Sequence, residues 1–140
     1  MGMAARLRRA PGRLATGAFI VNSALGKLNG TEDTAKALHG RASGAYPQLA
    51  RIEPTRFLKL LAAGELAVGG ALLTPVVPPV VAGAGLAGFA GSLLGMWWRT
   101  PGMHAPGSIR PTQPGVAIAK DVWMLAIGVG LVVDAVLSRD

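Results

Sequence analysis

The chain has 140 residues, 51% of them apolar and only 15% charged, with 20 glycines and a positive mean hydropathy, a balance soluble domains seldom reach. Its 14 Lys and Arg against seven acids give a formal charge of +7, yet they are scattered, lack interleaved aromatics and are separated by apolar segments, which argues against nucleic acid and for anionic lipid head groups. The absence of cysteine excludes disulfides, thiol redox pairs and Cys-ligated iron–sulfur clusters.

The tail 1–13 carries Arg6, Arg8, Arg9 and Arg13 and precedes an apolar stretch from Leu14 to Leu28. That stretch has no A-x-A cleavage pattern and runs directly into Lys27, so it reads as a first membrane helix over residues 11–28 rather than as a cleaved signal peptide. Next, Asn29 to Pro54 is polar and carries Ala35, Leu38 and Ala42 at helical spacing after Thr31, Glu32 and Asp33. A short amphipathic helix at the membrane interface is predicted over 31–44, the alternative being a solvated connector.

Residues 56–73 are expected to form the second membrane helix and 76–98 the third. The link Pro75 to Pro79 contains three prolines and no charge, which predicts a tight antiparallel hairpin. The third helix carries Ala84, Ala87, Gly88, Gly91 and Gly95, and the spacing of Ala87, Gly91 and Gly95 puts small residues in one stripe where backbones can approach closely. Arg99 to Gly115 is a loop punctuated by four prolines, and the fourth helix is expected over 116–137.

About 20 apolar residues suffice to cross a bilayer. The expected fold is therefore all-α, a polytopic transmembrane four-helix bundle forming one domain over residues 1–140. Four spans put both termini on one side, with Arg6, Arg8, Arg9, Arg13 and Arg139, opposite Lys36, Arg41, Arg51, Arg56, Arg99 and Arg110. The arginines just before the first helix favour cytoplasmic termini. The two histidines, His39 and His104, read as solvated loop residues, so neither a haem site inside the bundle nor a metal site is expected.

Ionisable side chains in membrane segments cost at least a few kcal/mol each and mark the positions where chemistry could sit. Six fall in the expected helices: Glu65 near the middle of the second, Lys59 near its start, Lys27 near the end of the first, Lys120 and Asp121 near the start of the fourth, and Asp134 near its end. Antiparallel topology puts the first five in one leaflet. At 1.5 Å per residue, Lys27, Lys59 and Asp121 lie roughly 8–9 Å from their helix midpoints, at similar depths. Lys27, Lys59, Glu65, Lys120 and Asp121 are thus expected to form one intramembrane polar cluster, completed by Asn22 and Ser23, with Trp97, Trp98 and Trp123 in an interfacial belt on the same side. The alternative is that Lys59 and Lys120 snorkel to head groups while Lys27 and Asp121 cap helix ends. Glu65 cannot snorkel from the midplane, so it must be protonated or paired with a lysine.

The ordered set of a first helix RLATGAFIVNSALGKL, a second reading FLKLLAAGELAVGGALL, a glycine-rich third and a fourth beginning AKDVWMLAIGVGLV resembles the DoxX-like family of bacterial membrane proteins over nearly the whole chain. The resemblance implies a four-helix protein of the bacterial cytoplasmic membrane, linked to membrane oxidoreductase assemblies that include quinone-coupled thiosulfate oxidation. The long loop from Asn29 to Pro54 and the Pro-rich loop before the fourth helix depart from that pattern. The Ala, Gly and Arg-rich composition looks like a high-GC actinobacterial source.

Three functions compete. The first is a small subunit or accessory component of a membrane oxidoreductase complex, with a quinone head group near Glu65 and Lys27, other membrane subunits as partners and no independent catalytic activity. A carboxylate beside a lysine could relay a proton or hydrogen-bond a quinone carbonyl. The second is a structural or assembly protein that associates with itself or a larger partner through its small-residue stripe. The third, a small transporter, would need a dimer to enclose a path, and no discontinuous helix pair marks a binding site.

Overall fold

The computed structural model describes residues 2–138; Arg139, counted above among the terminal charges, lies outside them. Among the described residues there is no β-strand, and the only pairing of that kind is an isolated bridge between His104 and Pro111. The helices are α1 (Met3–Leu28), α2 (Glu32–Ala45), α3 (Pro54–Leu73), α4 (Pro79–Arg99), α5 (Val116–Ala119) and α6 (Val122–Leu137), with one 3-10 turn at Pro47–Arg51.

Helix α1 begins at Met3, well before the start near Pro11 that the sequence suggests, and carries Pro11 in its interior. A proline inside a helix removes one amide donor and crowds the preceding turn. Side chains on both sides of Pro11 offset that cost. Arg8 and Arg9 reach Asp134 of α6 at 2.8 and 2.5 Å. Arg13, 7% exposed, donates through Nε to Leu72 O and through Nη2 to the carbonyls of Ala71, Thr74 and Val77. The last carbonyls of a helix have no partner within it and attract a cation, so Arg13 closes α3 and braces the turn that follows. The beginning of α1, the end of α3, the beginning of α4 and the end of α6 therefore meet at one end of the bundle.

Helix α2 starts behind Thr31, whose hydroxyl accepts from the Thr34 amide at 3.2 Å, with Glu32 and Asp33 in its first turn. It buries Ala35, Ala42 and Ala45 and packs on α3 and α4. Prolines at the first helical position open both α3 and α4. Helix α4 starts at Pro79 rather than near Val76 because Pro78 and Pro79 each force the residue before them out of helical geometry. Val76 and Val77 are left in the turn.

The fourth expected helix is interrupted. Asp121 N donates to Ile118 O at 2.9 Å and Trp123 N to Lys120 O at 3.0 Å. These bonds span three residues instead of four, a 3-10 step that separates α5 from α6.

The tightest packing is between α1 and α3 and between α4 and α6. Each pair meets at glycines. A Cβ on Gly69 would stand 3.1 Å from Gly17 O, and one on Gly128 would stand 2.7 Å from Ala87 N and 2.8 Å from Gly83 O. The expected stripe of Ala87, Gly91 and Gly95 does not act as one interface. Ala87 meets Gly128, Gly91 faces open space, and Gly95 lies under the Tyr46 hydroxyl, which donates to Ser92 O at 2.7 Å. Between the two pairs lies a core of Ile20, Leu72, Ala82, Leu86 and Leu131.

Among the described residues, two runs are long and apolar enough to cross a membrane, Pro79–Arg99 and Val116–Leu137. Helix α3 carries Arg56, Lys59 and Glu65 within 20 residues and α1 carries four arginines and Lys27, and neither is among those two; the run Val116–Leu137 carries Lys120, Asp121 and Asp134 near its ends. All four long helices turn large apolar side chains outward, among them Phe19 at 68% exposure, Leu60 at 56%, Val81 at 58% and Val133 at 48%.

Candidate functional site

A cavity of about 360 Å³ opens at the other end of the bundle, enclosed by α1, α2, α3, α4 and the α5–α6 step. Phe19, Phe57, Leu61, Phe89, Leu93 and Met124 supply apolar wall, and Ser23, Lys27, Glu65 and Asp121 supply a polar patch, with Arg41 and Tyr46 contributed from the α2 side. The volume falls in the range of about 300–1,000 Å³ typical of small-molecule sites, which combine apolar walls with a few placed polar groups.

Lys27 Nζ stands 2.9 Å from Glu65 Oε1 and donates to Ser23 Oγ at 2.7 Å. Ser23 and Lys27 are four apart on α1, so one helix face presents both. The Glu65 side chain is 4% exposed and that of Lys27 20%. Glu65 Oε2 is buried and has no hydrogen-bond partner. An ammonium has three donors and a carboxylate about four lone-pair sites, so this pair retains a donor on Lys27 and an acceptor on Glu65. Side by side on a cavity wall, they could hold a ligand that offers both a carbonyl and a hydroxyl, or pass a proton between ligand and carboxylate.

Of the seven residues expected to cluster, the structure brings together Ser23, Lys27, Glu65 and Asp121 on this cavity and leaves out Asn22, Lys59 and Lys120, all three exposed. Helix geometry explains each omission. Asn22 adjoins Ser23 on α1, where neighbours point about 100° apart, and Lys120 adjoins Asp121 in the 3-10 step, where neighbours point about 120° apart. Lys59 precedes Glu65 by six residues, roughly one and two-thirds turns, which takes it to another face of α3. Similar depth in a membrane is a weaker condition than a shared face.

Sequence reasoning missed two contributions. Arg41 and Tyr46 enter the wall because α2 folds back over α3 and α4 instead of standing apart. The ionic cluster of Arg8, Arg9 and Asp134 at the opposite end was legible in principle, since an even number of antiparallel helices brings the first and last ends together.

His104 lies in the loop between α4 and α5 as expected, but His39 does not lie in a loop, and neither ring is simply solvated. His39 lies on α2, where Nε2 is 2.8 Å from Leu49 O and the ring packs edge-on to Phe57. His104 stacks on Trp98 at 4.2 Å and 4°, its Nδ1 3.0 Å from Ser108 O and its Nε2 3.0 Å from Trp98 O. Both rings are therefore occupied in folding their segments. Among the described residues no three His, Asp or Glu side chains converge where a metal could sit.

Comparison with protein-family models, with curated proteins and with solved structures finds no match to this chain.

Proposed function

We propose that the chain is a four-helix integral membrane protein of the bacterial cytoplasmic membrane that serves as an accessory subunit of a membrane oxidoreductase, binding a quinone head group in the cavity beside Glu65. Two helices with membrane-spanning length and hydropathy, and apolar side chains turned outward on all four long helices, support insertion. The charges of α3 and α1 are compatible with crossing because Lys27 and Glu65 neutralise each other while Lys59 lies toward a helix end, within reach of the head groups.

The observation that carries the functional reading is the buried Lys27–Glu65 pair, with its free carboxylate oxygen, on the wall of a largely apolar cavity. A buried charged pair is weak evidence for stability and costs desolvation. An ionisable pair at membrane depth is more economically explained by a ligand or a proton path. A quinone head group offers a flat apolar face to the aromatic walls and, at one edge, a carbonyl oxygen to the Lys27 ammonium; in the reduced hydroquinone form that edge carries a hydroxyl that can also donate to the free Glu65 oxygen. The resemblance to DoxX-like proteins points the same way. A second reading, an assembly protein without chemistry, is favoured by Gly88 and Gly91, whose faces on α4 are open to an approaching helix.

The test is purification of the tagged protein in mild detergent, with mass spectrometry of the associated proteins and extraction of bound quinone. The expected result is a co-purifying respiratory or thiol-redox enzyme and retained quinone, with loss of that enzyme's quinone-linked activity in Glu65→Gln. Purification alone, without quinone, together with a Glu65→Gln variant that only unfolds more easily, would leave the assembly reading in its place.

A further inference from the structure

At the end of the bundle away from the Glu65 cavity, a second cleft of about 260 Å³ lies between α1 and the end of α3, lined by Arg6, Leu7, Arg13, Leu14, Leu73 and Pro75 among others. Four arginines of α1 gather at this end against a single carboxylate among the described residues, that of Asp134, which Arg8 and Arg9 engage. Among the described residues, Arg6 and Arg13 face no carboxylate there. Arg13 spends Nε and Nη2 on backbone carbonyls, which satisfies those donors without cancelling the charge, and a guanidinium stays protonated at any physiological pH.

The apolar half of the cleft has a direction. Leu7 and Leu14 are two turns apart on the same side of α1 and are 65% and 56% exposed. They continue the cleft as an outward-facing apolar track along the helix. Arg6, exposed at the mouth of such a track, and Arg13, buried in its wall, complement an anionic head group carrying an acyl chain, in the way that basic pockets between membrane helices hold acidic lipids.

We infer that the Arg6–Arg13 cleft is a binding site for an anionic phospholipid, its phosphate on the exposed Arg6 guanidinium with the charge of Arg13 in the wall below, and one acyl chain along Leu7 and Leu14. The inference rests on the membrane reading above but not on the quinone. An arginine close to an acidic lipid surface contributes about fivefold to binding, so Arg6 sets the expected preference at about fivefold.

The experiment uses the full chain in detergent, incubated with equal amounts of dioleoylphosphatidylglycerol and dioleoylphosphatidylcholine, with bound lipid counted by native mass spectrometry. Wild type is expected to favour phosphatidylglycerol strongly. Arg6→Gln, which breaks no ion pair among the described residues, is expected to lose about fivefold of that preference, while Arg56→Gln, an exposed arginine at the start of α3, is expected to leave it unchanged. Equal uptake of the two lipids, equal losses in both variants, or displacement of the lipid by millimolar inorganic phosphate overturns the site. Flotation with vesicles of pure phosphatidylcholine separates the two levels. A protein that floats but shows no lipid preference loses only this site, whereas one that fails to float loses the membrane reading as well.

Discussion

Glu65 is the side chain whose surroundings are hardest to explain by packing alone. Its carboxylate is buried, one oxygen is paired with Lys27 and the other has no partner, although a buried polar atom left unsatisfied costs about 1–3 kcal/mol. Removing one charge of a buried pair strands the other, so Glu65→Gln is expected to lower stability by about 3 kcal/mol, toward the low end for such pairs because Lys27 keeps some solvent contact. Replacing both together is a different matter. Lys27→Met with Glu65→Leu removes the desolvation cost along with the attraction, and is expected to fold within about 1 kcal/mol of wild type. Thermal unfolding in detergent measures both. If the double replacement is as unstable as the single one, the pair is a structural necessity and the reason for assigning it to a ligand disappears. If it folds normally and has lost bound quinone, the charges serve binding.

The helices show how much of this architecture could be read from sequence. The order of the long helices follows from hydropathy and proline punctuation, and the polar cap of α2 from Thr31, Glu32 and Asp33, but the division of the last helix into α5 and α6 does not. Their ends follow from contacts that a linear pattern does not contain. The extension of α1 to Met3 depends on Arg8 and Arg9 finding Asp134, more than a hundred residues away. The 3-10 step before α6 leaves no hydropathy signature at all. Small residues were legible as a class, but which ones matter was not, because that depends on how a neighbour is rotated. Gly128 lies against the backbone of α4, with Ala87 N and Gly83 O as the atoms an added Cβ would strike. Backbone cannot swing aside as a side-chain tip can, so Gly128→Val is expected to cost about 1–3 kcal/mol or to force α4 and α6 apart. Gly91→Ala fills open space and trades a poor helix former for the best one, for a gain of up to about 1 kcal/mol. Equal effects of the two changes on the unfolding temperature would contradict the packing described for α4. Of the candidate site, the half on α1 and α3 was legible because Lys27 and Glu65 stand out against apolar neighbours. The half contributed by α2 was not, because a polar segment gives no sign of where it docks.

At the scale of the whole molecule, the ends of the bundle differ in kind: one is stitched by arginines, the other hollow. The absence of native cysteine makes the arrangement easy to test by labelling in intact cells. On the proposed four-span reading, cysteines introduced at Ser43 and Ser108 are expected to react from one side of the membrane, and one at Gly2 from the other. Reaction of Gly2 and Ser43 from the same side would rule out an odd number of crossings by α1 and with it the four-span arrangement. Between the ends, the molecule is built as two tightly joined helix pairs, α1 with α3 and α4 with α6, and the contacts across the divide are much sparser. The hollow end straddles that divide, with walls drawn from both pairs. An occupant there touches both halves at once and acts as a mechanical tie, so by linkage whatever fills the space also stiffens the joint between them.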